Sequence, residues 1–190
     1  MPVHTKRIED SYILKYMTFT NKDLKLIIPF ILFVIIGICG LHSVNYISES
    51  QTMEATFNWC IIPTIIFALY YAYRSSFGYK EVIVPIWKNI LSFIVMTIII
   101  GMVTFISLQG ILISVNNNIG QQKEYLLSGK IIKLDYPKEK KIGNNYTIEI
   151  ERKVEKDTIK LNVPHNNYQK GQNFEKSMKI GFLKFIYSEN

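Results

Sequence analysis

The 190-residue sequence has few of the residues on which small folds and enzyme sites commonly depend. It contains two cysteines, Cys39 and Cys60, which excludes a scaffold built on disulfides. Its three histidines lie far apart, and no HExxH, GxSxG, P-loop or dinucleotide-binding glycine motif is present. No nucleophile–base pair and no metal-ligand cluster is therefore indicated. We expect a protein that is not an enzyme and that holds neither a metal nor a cofactor.

Charge is missing from the long apolar runs of the chain. No Asp, Glu, Lys or Arg lies in Leu26–Leu41, and none lies in the middle of the two later runs. The chain is 48% apolar with a mean hydropathy of +0.13, yet its net charge is +7. Most of the apolar residues lie between Asn21 and Val115. This composition predicts a small integral membrane protein with a polar, basic C-terminal part.

Three apolar segments are long enough to cross a hydrocarbon core of ~30 Å at ~1.5 Å per helical residue. We place the spans at about residues 26–46, 55–73 and 89–115 of a transmembrane domain over 26–115. A cleaved signal peptide is not indicated, because the first run is too long and no small-x-small site follows it. Residues 1–25 form an N-terminal segment in which Ile8–Thr18 suits a short interfacial helix or a solvated tail.

The distribution of Lys and Arg predicts the orientation of the spans. Five such residues precede the first span, none lies in the first loop, Ile47–Glu54, and three lie in the second loop. We therefore expect the N-terminus in the cytoplasm and the C-terminal domain outside. Aromatic residues predicted as interface anchors agree with this orientation, and they are Tyr46, Trp59, Tyr73 and Trp87. If the third span does not cross, the C-terminal domain lies in the cytoplasm instead.

After a linker at residues 116–124, the apolar period changes to two, which is typical of half-buried antiparallel strands. We predict five strands, at about Leu126–Tyr136, Tyr146–Lys153, Thr158–Val163, Asn173–Lys179 and Phe182–Tyr187. Five short strands in residues 125–190 indicate a small antiparallel barrel, SH3-like or OB-like, because a barrel leaves no sheet edge exposed. The expected fold class is thus membrane α + β, with three transmembrane helices before a five-stranded barrel.

The order of turn and strand motifs in this C-terminal part resembles the β tail of small uncharacterised bacterial membrane proteins. The motifs are Gly129-Lys130-Ile131-Ile132, Tyr146-Thr147-Ile148, Leu161-Asn162-Val163, Tyr168 with Gly171, and Gly181-Phe182-Leu183. The resemblance covers Tyr125–Tyr187 and implies a multi-pass protein of the bacterial inner membrane. Those proteins have no assigned activity, so the resemblance assigns no functional residue.

Basic residues of the C-terminal domain are the first candidate binding site. From Lys123 onward, 14 Lys and Arg stand against 9 Asp and Glu, a net charge of +5. Either a solvated strand surface or a site for anionic lipid headgroups or an acidic partner fits this pattern. The candidate residues are Lys138, Lys140, Lys141, Arg152 and Lys153. Nucleic acid is an expected partner only if the domain lies in the cytoplasm.

Polar residues of the spans are the second candidate set, since such groups in membranes commonly face a bundle interior or a water-filled cavity. They are His42, Asn45, Thr97, Thr104, Ser107 and Gln109, expected to contact neighbouring helices or a second copy. Cys39 and Cys60 are predicted to be free thiols because they lie at different depths.

The leading functional hypothesis is a non-catalytic membrane protein whose β domain binds a protein or envelope partner, in an accessory or toxin-immunity role. The alternative is an oligomeric membrane-active effector or pore that is gated by ligand binding to the β domain. In either case the expected partners are membrane lipids, a protein and a second copy of the chain.

Overall fold

The computed structural model describes residues 21–78, 85–135 and 146–189. The described residues form three helices, α1 (Asn21–Leu41), α2 (Glu49–Phe77) and α3 (Ile86–Asn118). They also form six strands, β1 (Tyr46–Ser48), β2 (Lys123–Asp135), β3 (Tyr146–Arg152), β4 (Thr158–Val163), β5 (Asn173–Ile180) and β6 (Ile186–Ser188). The chain divides into two compact units, Met1–Phe33 and Val34–Asn190, and the contacts described below all lie in the second.

All three helices are long and apolar enough to span a membrane, as the hydropathy of the sequence predicted. Their bounds differ from the predicted spans. The second helix begins at Glu49, immediately after β1, and the third extends to Asn118. The segment Ile8–Thr18, which suited an interfacial helix, lies outside the described residues.

Small residues bring the last two turns of α1 against α3. A Cβ atom added to Gly40 would overlap the backbone of Gly110, and one added to Gly37 would overlap the backbone of Ser107. Close approach of helix backbones through small residues is a typical way to pack helices in lipid, where apolar burial alone gives no driving force between them. The end of α1 is thereby fixed beside α3.

The strands close into an antiparallel barrel in the order β1-β4-β3-β2-β5-β6. The prediction of five strands is wrong, because the barrel has six. The additional strand, β1, comes from the first loop, between α1 and α2, and pairs with β4 through Ile47↔Asn162 and with β6 through Ile47↔Tyr187. Three residues are too few to give a periodic signal, so only the long-range pairing shows this strand.

The last predicted strand is also displaced. Phe182–Phe185 forms a turn, and the strand itself is the shorter β6. The other four predicted strands match β2, β3, β4 and β5 to within a few residues.

Alternating side chains from the strands fill the barrel with one apolar core. Its buried members are Tyr46, Leu127, Ile131, Ile148, Ile150, Ile159, Leu161, Val163, Phe174, Met178 and Ile186. A barrel of this size has a small core and is marginally stable alone, so contacts with the helices add to its stability.

Asn116, in the last turn of α3, fastens the barrel to the helices. Its side chain is fully buried; Nδ2 donates to the carbonyl oxygen of Phe185 at 3.2 Å, and Oδ1 accepts from the backbone N–H of Leu183 at 3.0 Å and of Phe185 at 3.2 Å. Its own carbonyl accepts from the N–H of Phe182 at 3.1 Å. The turn between β5 and β6 is therefore bound to the end of α3 by four hydrogen bonds, which we call the Asn116 latch.

Candidate functional site

The predicted basic site is only partly within the described residues, because Lys138, Lys140 and Lys141 lie outside them. Arg152 ends β3, and its guanidinium donates to Asp157 through two nitrogens and to the hydroxyl of Tyr125 at 3.1 Å. Glu155 lies 3.2 Å away as a further ion-pair partner. Lys153 is exposed at the start of the turn that follows.

These contacts shift the titration of the whole cluster. The hydrogen bond from Arg152 lowers the pKa of Asp157 below its ordinary value, and the hydrogen bond from Tyr125 lowers the pKa of Glu155. The same carboxylate of Asp157 raises the pKa of the Arg152 guanidinium. Arg152 is thus a structural residue that holds the β3–β4 turn, and its charge is balanced within the chain.

Three of the polar residues predicted for the third span make contacts within the chain. Thr97 donates to the carbonyl of Phe93 at 2.7 Å beside a groove between α2 and α3. Thr104 and Ser107 are buried, and Ser107 lies against Gly37 of α1. These side chains therefore belong to the packing of the chain's own helices.

Three of the four predicted interface anchors, Trp59, Tyr73 and Trp87, are exposed on the helices. Tyr46 differs, because it lies in β1 and its ring is buried in the barrel core. The ammonium of Lys176 lies 4.0 Å from the centre of that ring. Tyr46 is thus a core residue of the barrel. Cys39 and Cys60 are both free thiols.

The remaining three polar residues meet at one place, a cavity of about 450 Å³ between the helices and the barrel. We call it the junction cavity. It is lined by Leu41, His42, Val44, Asn45, Ile47, Glu49, Thr52, Gln109, Ile113, Asn162, Val163 and Pro164. The end of α1, the first turn of α2, the last third of α3 and the end of β4 each contribute to its wall, so folding of the barrel onto the helices creates it.

A chain of hydrogen bonds fixes the polar wall of the junction cavity. Gln109 donates through Nε2 to the hydroxyl of Thr52 at 3.2 Å, and that hydroxyl donates to the carbonyl of Glu49 at 3.1 Å. Asn45 donates through Nδ2 to the carbonyl of Glu189 at 2.6 Å, and His42 Nδ1 lies 2.9 Å from the carbonyl of Ile38. These hydrogen bonds orient the polar side chains of the cavity wall.

Among the residues that the structure describes, Glu49 is the only acidic one in this lining, and no Lys or Arg lines it. Its carboxylate lies in the first turn of α2, where the helix dipole stabilises negative charge. Among the described residues it forms no ion pair, and the contact from the hydroxyl of Thr147, at 3.5 Å, is long. The cavity therefore offers a half-buried negative charge to a cationic group.

Tyr187 supports the apolar wall of the same cavity. It is fully buried and packs with Ile47 and Ile113, which line the cavity as well. Burial raises the pKa of its hydroxyl above the ordinary value, and that hydroxyl has no hydrogen-bond partner within residues 21–78, 85–135 and 146–189. A buried polar group without a hydrogen-bond partner costs folding free energy. The hydroxyl-bearing side chain of Tyr187 lies directly behind residues that line the junction cavity.

Sequence reasoning found His42, Asn45 and Gln109 but missed Glu49, Thr52 and Asn162. A signal for Glu49 is present in the sequence, since Glu49 and Glu54 are the acids of a loop without Lys or Arg between two apolar runs, but nothing local indicates that Glu49 faces a cavity. Asn162 lies on a strand far along the chain, and only the pairing of β4 with β1 brings it to the cavity. Within the described part of the chain, no group of three His, Cys, Asp or Glu side chains is placed to hold a metal ion.

No protein-family model matches this sequence, and neither a curated protein nor a solved structure matches it at a significant level.

Proposed function

We propose that this chain is a non-catalytic membrane protein whose β barrel, set rigidly on the helices, binds a protein or envelope partner that presents a cationic group to the junction cavity. The observation that carries the proposal is the half-buried Glu49 carboxylate without an ion-pair partner among the described residues. An ammonium or guanidinium placed beside it would form a charge-assisted hydrogen bond, and the amide oxygens of Gln109 and Asn162 are further acceptors for such a group.

We further propose that the protein lies in the cytoplasmic membrane of a bacterium, with its N-terminus inside and the barrel outside. The Lys and Arg distribution of five, none and three in successive segments supports this orientation. The pairing of β1 with β4 and β6 supports three crossings, because the connection between α1 and α2 must share one side of the membrane with the barrel.

The oligomeric effector or pore is the weaker hypothesis. It depended on polar residues of the third span lining an axis between copies. Thr104 and Ser107 are buried in contacts within the chain, so the observation that motivated the pore has another explanation.

The proposal is tested with a photo-crosslinking residue at Asn45, on the rim of the junction cavity, in the full-length membrane protein. The probe is a synthetic peptide with a single lysine, and its norleucine analogue is the uncharged comparison. Loss of one charge-assisted hydrogen bond of ~1.5–3 kcal/mol corresponds to a roughly 10- to 100-fold loss of binding. We expect Glu49→Gln to reduce crosslinking of the lysine peptide by at least about tenfold.

Glu54→Gln is the matched control, because Glu54 lies in the same helix and does not line the junction cavity. It should leave the crosslinking yield unchanged. Equal yields for the lysine and norleucine peptides, or equal losses in the Glu49→Gln and Glu54→Gln variants, would contradict the proposal.

A further inference from the structure

A second cavity, of about 470 Å³, lies at the base of the barrel and carries the opposite charge. We call it the basal pocket. Its lining comes from the first turn of α2, the start of β2, the β3–β4 turn and the turn between β5 and β6. The lining residues that carry charge are Lys123, Arg152, Glu155 and Lys184.

The charges of the basal pocket are not balanced. Arg152 is paired with Asp157 and Glu155, and these three groups together carry a net charge of −1. Within the described residues, neither Lys123 nor Lys184 takes part in an ion pair. Their two ammonium groups outweigh the acidic cluster and leave the concave site with a net positive charge, which favours an anionic occupant.

The pocket lies where the lipid-facing surface of α2 begins. Gln51 lines it, and Trp59 and Ile62, which follow on the same side of α2, are 57% and 69% exposed. At ~1.5 Å per residue, Trp59 is ~12 Å and Ile62 ~17 Å further along the helix axis. Phe182, 57% exposed, also lines the pocket and packs against Gly120. Cationic groups thus lie beside exposed apolar side chains, as at the headgroup level of a bilayer.

The two lysines are held by rigid backbone. Lys184 lies in the turn that the Asn116 latch fixes, and its φ of 68° is in the left-handed region that residues other than glycine rarely adopt. Such a conformation persists only where the surrounding contacts determine it. Lys123 is the first residue of β2 and is paired with Ile180 of β5. The backbone positions of the two lysines are therefore set before any ligand binds.

We propose that the basal pocket binds the phosphate of an anionic phospholipid headgroup. The ammonium groups of Lys123 and Lys184 contact the phosphate oxygens, while the acyl chains run along the exposed side chains of α2. Free phosphate offers the same chemistry to the two lysines, but the apolar surface next to the pocket favours the lipid.

The test is lipid retention by the full-length protein, measured by native mass spectrometry with phosphatidylglycerol and phosphatidylcholine. We expect tighter retention of phosphatidylglycerol. Lys123→Gln and Lys184→Gln should each weaken it about fivefold, and the double variant about 25-fold, with phosphatidylcholine retention unchanged. Lys184→Arg should restore most of the affinity because it keeps the charge.

The matched control is the double variant Lys156→Gln and Lys170→Gln. It removes the same charge from exposed sites that do not line the pocket, and Lys156 is the other non-glycine residue with positive φ among those described, besides Lys184. Equal losses in the two double variants, or equal retention of the two lipids by the wild type, would overturn the proposal. Displacement of phosphatidylglycerol by millimolar inorganic phosphate would assign the pocket to a soluble phosphate and overturn the lipid as occupant. Because Glu49 lies outside this pocket, the result is independent of the proposed function.

Discussion

Removal of the Asn116 latch is the sharpest test of how the barrel is held on the helices. Asn116→Ala deletes three side-chain hydrogen bonds at a site that is 0% exposed. The backbone N–H groups of Leu183 and Phe185 lose their partners, while the carbonyl of Phe185 keeps the hydrogen bond that the N–H of Gly181 donates at 3.2 Å. Each lost bond costs ~1 kcal/mol net, and each buried group left unpaired costs ~1–3 kcal/mol.

Together, the two N–H groups left unpaired and the one further lost bond to the Phe185 carbonyl amount to about 4 kcal/mol. A small domain has a free energy of unfolding of ~5–15 kcal/mol, and ~1 kcal/mol shifts Tm by ~4–8 °C. We therefore expect the Tm of the barrel to fall by more than about 15 °C. The loss should be largest in the turn and in β6, because the latch binds these segments directly.

Thermal unfolding of the full-length protein in detergent measures the stability, and amide exchange of residues 181–188 locates the loss. Asn118→Ala is the control, since Asn118 is exposed near the same helix end and donates to the carbonyl of Ser114. The control should change the free energy of unfolding by less than ~0.5 kcal/mol. If Asn116→Ala lies within about 1 kcal/mol of the control, or if exchange of residues 181–188 is unchanged, the latch does not hold the barrel in place.

Two further predictions concern the β3–β4 turn and the orientation of the chain. The pKa values of Glu155 and Asp157 are lowered in the folded chain. As the pH drops from ~5 toward 3, the unfolded chain therefore binds more protons than the folded one, and the free energy of unfolding falls. Asp157→Asn should flatten the dependence of Tm on pH over this range, whereas an unchanged slope would contradict the assignment. In a variant with Cys39→Ser and Cys60→Ser, Asn190→Cys and Ser43→Cys should both react with an impermeant thiol reagent on intact spheroplasts, because β1 joins the loop after α1 to the barrel. Labelling of one without the other would contradict the paired topology, and labelling of both only after lysis would reverse the orientation.

The helices and most strands were predictable because each leaves a local signal. An uncharged apolar run indicates a span, and the alternation around Ile148 and Ile159 indicates a strand, whatever the rest of the chain does. Thr158–Val163 was predicted with the bounds that the structure has. These features depend on neighbouring residues alone.

The missed features depend on contacts between distant segments. β1 is a strand because β4 and β6 flank it, so Tyr46 is a core residue and not an interface anchor. Phe182–Phe185 is a turn because Asn116 binds its backbone from another element. Arg152 looked like an available cation because the sequence does not show that Asp157 and Tyr125 fold back onto it. No periodicity encodes such pairings.

The same long-range contacts explain how so small a barrel is closed and held next to the helices. The C-terminal segment supplies five of the six strands, and the sixth comes from between α1 and α2. Without β1, the edges of β4 and β6 would be unpaired, and the core would lose Tyr46. Because Ser48 of β1 is followed directly by Glu49 of α2, no flexible connection separates the barrel from that helix. The junction cavity and the basal pocket both use the first turn of α2, through Glu49 and Gln51, so both exist only when the barrel closes on the helices.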